Sequence, residues 1–162
     1  LESTGLQLVQ SAISRLLSLF PDKSFRQADI DTYNENTDFE IERIRDFIIA
    51  HYKLNDRNDS DFWRMCQQMD IPDTLQKKLS LYQSSGRIFR ENNELFNELS
   101  WFSVLNGQGV TPISYHPLIE SMPDNELFQH LSNMQKTIAD VVQSIPNHAQ
   151  FIQRNCAASD GN

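Results

Sequence analysis

Residues 1–20 read LESTGLQLVQSAISRLLSLF. From Leu6 onward the apolar side chains Leu6, Val9, Ile13, Leu16, Leu17 and Phe20 recur three or four residues apart, which places them on one face of an α-helix. Pro21 and Asp22 end the pattern, so the spacing predicts a helix over Leu6–Phe20. Ahead of it stand a carboxylate, two hydroxyls and a glycine. A glycine in a first helical turn leaves backbone N–H groups uncovered, and those donors, aligned with the helix dipole, form an anion site at Thr4 and Gly5. Ser or Thr before an apolar run is equally the ordinary capping signature. On the residues alone both readings stand.

The remainder repeats the helical theme without a convincing strand pair. Ile41, Ile44, Phe47, Ile48 and Tyr52 mark one stripe of a long helix over about Asp29–Tyr52, with acids crowding its first half, where the dipole favours them. Asp38, Glu40, Glu42 and Asp46 read as its solvated face. NDRNDSD is a loop, and SDFWRMCQQM opens on a capping-type serine and reads as a short helix. In IPDTLQKKLSLYQSSG, Pro72 stands at a helix start and Gly86 at its end. A further helix is expected from about Glu94 to Leu105, closing at Gly107. VTPISYHPLIESMP, with three prolines, reads as an extended surface connection. DNELFQHLSNMQKTIADVVQSI is helical again, broken by Pro146 before NHAQFIQRNC, and the tail AASDGN is expected to fray. With no repeat and no linker signal, residues 1–162 read as a single, mainly α, multi-helix domain.

Charge narrows the function. A formal charge of -8, with Lys and Arg scattered, argues against a nucleic-acid surface or an anionic membrane, both of which select clustered cations. No apolar run approaches the roughly 20 residues of a membrane span. Cys66 and Cys156 have no neighbouring cysteine or histidine to form a metal or redox motif, and a reducing cytoplasm is the expected compartment. His51, His116, His130 and His148 are widely separated, so no metal site is expected. Gly107–Gly109 lacks the spacing of a dinucleotide loop and reads as a turn. Phe62, Trp63, Trp101 and Phe102 could line a pocket, but aromatics at helical spacing are more often core.

LESTG before a helix, then LFPD, ERIRDFIIAHY, DFWRMC, LYQSSGRIF, VLNGQG and IPNHAQFIQRNC, occur in the order seen in the C-terminal part of the flavin-dependent tryptophan halogenases, which this chain resembles from Leu1 to Cys156. The family also has an N-terminal α/β flavin-binding part with a Gly-rich phosphate loop and a catalytic lysine. Neither is in this sequence, and the resemblance therefore implies a helical, substrate- and halide-side fragment of a larger flavoenzyme, inactive by itself. Glu2 matches the essential glutamate that faces the substrate ring, and Ser3 a serine that supports the lysine. Thr4 and Gly5 match the pair whose backbone N–H groups hold chloride or bromide, and Leu6 a position whose backbone touches FAD. In the family, reduced FAD supplied by a separate flavin reductase reacts with oxygen, and the oxidised halide reaches the lysine beside an electron-rich aromatic.

On the substrate side, aligning VLNG without gaps on the family's VLAG-like turn puts Glu91 on the glutamate that grips the substrate amine, Leu95 and Phe96 on a Phe-Trp pair, and Trp101 in an Asn-Tyr-Tyr run. Ser84 and Ser85 fall where two tyrosines would stand. Smaller walls imply an uncharged indole or a phenol rather than free tryptophan. The partners implied are the aromatic substrate and the reductase, with no nucleic acid and no membrane, and a homodimer is one assembly open to the chain. Two other functions stay open at this point: a related flavin monooxygenase that does not halogenate, and a non-catalytic helical binding module.

Overall fold

A computed structural model of the chain describes residues 4–92 and 94–156. In order these form α1 (Thr4–Ser18), α2 (Gln27–Lys53), α3 (Asp61–Gln68), α4 (Asp73–Ser85), α5 (Glu98–Gly107), a 3-10 turn (Pro117–Ile119), α6 (Asp124–Ser144) and α7 (His148–Asn155), with no strand among the described residues. The mainly α class is as the periodicity predicts. Helix α1 stops at Ser18, two residues before its apolar pattern runs out. The described part of α1 begins at Thr4, and Glu2 and Ser3 lie outside the described residues.

The chain divides into two compact units, Leu1–His116 and Pro117–Asn162. The boundary falls inside the proline-rich VTPISYHPLIESMP stretch. In the first unit the core is built from Phe47 and Ala50 of α2, Leu75, Leu79 and Tyr82 of α4, and Trp101 and Leu105 of α5. Phe47 is its hub: its ring stacks on Phe96 at 3.7 Å between centroids and meets Trp101 edge-on at 4.9 Å. Such aromatic pairs add about 0.5–1.5 kcal/mol each to the burial of their area. Tyr52, Phe62 and Trp63 form a separate aromatic cluster where α3 packs on the end of α2.

Caps and breakers set the ends of most helices. Gly86 takes φ +68 after α4, a left-handed cap that an L side chain rarely adopts, and its N–H bonds Tyr82 O at 2.7 Å. Ser60 precedes α3 as expected but its hydroxyl makes no capping hydrogen bond. In the second unit Asn147 and Gln150 form a reciprocal capping box at α7, and Pro146 separates that helix from α6. Helix α6 buries none of its residues.

Two sequence expectations are corrected here. The helix expected from Glu94 begins at Glu98, with Asn97 as its cap accepting from Ser100 N at 3.0 Å. Glu94 is held out of it because its carboxylate is buried against Lys78 and its carbonyl accepts two bonds from Arg90. The acids of α2 are not uniformly a solvated face: Asp46 is 2% exposed and Glu40 is ion-paired under α1.

Candidate functional site

A set of polar contacts ties helix α1 to α2. Arg15 Nη2 lies 2.6 Å from Glu40 Oε2, Arg15 Nη1 donates to Thr37 Oγ1 at 2.7 Å, and Ser11 Oγ donates to the same Glu40 oxygen at 2.9 Å. Beside these contacts runs an open groove of about 750 Å³, lined by Gln7, Ser11, Ser14 and Arg15 of α1, Asn36, Phe39 and Glu40 of α2, and Asn92. Asn92 turns the chain back on itself with φ 48, an αL conformation that Asn tolerates better than most residues.

Behind that turn lies a network of charges. Arg43 stacks over the groove-lining Phe39 ring at 4.9 Å, donates through Nη1 to Asp46 Oδ2 at 3.1 Å, and brings Nε to 3.1 Å from Glu91 Oε2. That last approach is an ion pair without hydrogen-bond alignment, since Nε finds no acceptor in line. Asp46 also accepts from Arg45 at 2.9 Å and from the Thr74 hydroxyl. Lys78 Nζ pairs with Glu94 Oε1 at 2.9 Å, stands 3.9 Å from Glu91 Oε1, and lies 4.8 Å from the centroid of Trp101. Each buried carboxylate thus has its cation, which burial of a charge demands.

Among the residues expected from the sequence, Thr4 and Gly5 open α1, and a Cβ built on Gly5 meets nothing within 4 Å. Leu6 follows with 69% of its surface exposed. Glu91 sits half-exposed between Arg43 and Lys78. Leu95 is half-buried, and Phe96 and Trp101 pack on Phe47, with Trp101 only 1% exposed and its Nε1 without a hydrogen-bond partner. Arg43, Asp46, Lys78 and Glu94 were not expected to gather here. A signal for two of them exists in the sequence: Lys78 falls on the stripe Leu75, Leu79, Tyr82, and Asp46 on the stripe Arg43, Phe47, Ala50, positions from which a charge has to enter the core.

FAD, the cofactor implied by the resemblance, is not housed by these residues: one exposed leucine on the outer surface of α1 cannot enclose an isoalloxazine. Among the described residues no group of three or more His, Cys, Asp or Glu is placed to hold a metal, and no helix is long and apolar enough to cross a membrane.

The described residues thus form a mostly helical fold with a polar groove along α1 and an internally paired charge network behind it. The model of the tryptophan halogenase family matches residues 1–124. The chain belongs to that family. It is similar to BrvH, a flavin-dependent halogenase from Brevundimonas sp. BAL3, at 43% identity and a TM-score of 0.88, over 94% of this chain and 31% of that one. It is likewise similar to a flavin-dependent halogenase from Xanthomonas campestris, at 42% identity and a TM-score of 0.92, over 99% of this chain and 32% of that one. Among curated relatives, tryptophan 7-halogenase RebH of Lentzea aerocolonigenes is 27% identical over 95% of this chain and 32% of its own length. The chain therefore spans about a third of the relatives it matches.

Proposed function

We propose that this chain is the substrate- and halide-side portion of an FAD-dependent halogenase acting on an electron-rich aromatic, with a free indole or a phenol preferred to tryptophan. The observation that carries the reading is the family match over residues 1–124, joined to above 40% identity with two flavin-dependent halogenases across nearly the whole chain. Thr4 and Gly5 hold the halide through first-turn N–H groups, where a helix N-terminus favours an anion and where Gly5 leaves room for one. Glu2 accepts the proton that the ring loses as the carbon–halogen bond replaces carbon–hydrogen, and Ser3 supports the lysine that lies outside this chain. Leu6 meets the flavin at its edge, and a separate reductase supplies FAD in reduced form.

The test is incubation of the full-length protein with a flavin reductase, FAD, oxygen, bromide or chloride and a panel of indoles and phenols, read by mass spectrometry. Halogenated product is expected, with indole faster than tryptophan at equal concentration. Hydroxylated product without halogen would replace the reading with a monooxygenase. The 162-residue chain by itself is expected to leave gel filtration free of flavin, because Leu6 offers one exposed contact.

A further inference from the structure

We draw no further inference here: the strongest candidate, the exposed apolar face that Phe128, Leu131, Met134, Ile138, Val141 and Ile145 form along α6 and its C-terminal edge in the second unit, carries nothing because nothing in the structure shows what covers it.

Discussion

Helices α1 and α2 both carry apolar stripes, and the structure treats them in opposite ways. The second half of α2 buries Ile44, Asp46, Phe47 and Ala50 beneath α4 and α5, whereas α1 buries none of its residues and leaves Leu6, Val9, Ile13, Leu16, Leu17 and Phe20 all substantially exposed. A period of 3.6 states that a face is apolar; it does not state where the partner is. For α2 the partner lies within this chain. Helix α1 is tied down instead by Arg15, Glu40, Thr37 and Ser11, contacts that leave a groove beside them. Stability thus concentrates around Phe47, and the chemistry proposed above gathers at the other end, along α1.

That division is sharpest at its extremes. Replacing Glu2 by Gln in the full-length enzyme keeps the shape of the side chain and removes its charge, so turnover is expected to fall by about 10² to 10⁴, the span of general acid–base catalysis. The midpoint of thermal unfolding and FAD affinity should stay where they are. A variant that unfolds would move Glu2 into the structural half of the comparison. In the core, Lys78→Met leaves Glu94 buried at 1% exposure without its cation and is expected to cost about 3–5 kcal/mol in urea unfolding. Adding Glu94→Leu should restore much of that loss. If the double variant is as unstable as the single one, the pair is not the source of the cost.

The same chemical change at two sites gives the next measure. Leu105→Ala, at 0% exposure in the α5 core, is expected to cost about 2–5 kcal/mol, while Leu17→Ala, at 69% exposure on α1, should cost under about 0.5 kcal/mol in this chain. Similar losses at both positions would show that the α1 stripe is covered and would erase the contrast.

How much of this was legible in the sequence follows from the same distinction. Helix existence was readable wherever a stripe met a stop: Pro21 after α1, Gly86 after α4, Pro146 between α6 and α7. The start of α5 was not, because a tertiary ion pair between Glu94 and Lys78, sixteen residues apart, overrides a helical propensity that continues through the segment. Asp46 read as solvated because its neighbours Glu40 and Glu42 share its chemistry, although its place beside Phe47 and Ala50 is a core position. At the site, the anion role proposed for Thr4 and Gly5 is one that a glycine at a helix start suggests from sequence, while the pairing of Glu91 with Arg43 joins residues 48 apart by position and has no local signature. Phe96 and Trp101, aligned with substrate walls by resemblance, pack on Phe47 as aromatics at helical spacing usually do.

The smallest effect concerns the segment that carries Glu91. Glu98, in the first turn of α5, accepts hydrogen bonds from its own backbone N–H and from that of Arg90 at 3.2 Å, and these hold its carboxyl below its ordinary value of 4.5. They tie the start of α5 to the loop in which Arg90 also binds the Glu94 carbonyl. A carboxyl that titrates lower when folded than when unfolded contributes its stability fully above the unfolded value and loses it as pH falls through the folded one. The tie should therefore be complete at neutral pH and fade on acidification below about 4.5. Glu98→Gln is expected to flatten that part of the stability–pH profile while leaving the plateau near pH 7 only slightly lowered, since the group is fully exposed and solvent screens it. Hydrogen exchange at the Arg90 amide is the local readout: it should quicken in the variant at neutral pH, with the amides of the Phe47 core unchanged. An Arg90 amide equally protected in both proteins would mean that the loop is held by the Arg90–Glu94 contact and not by Glu98.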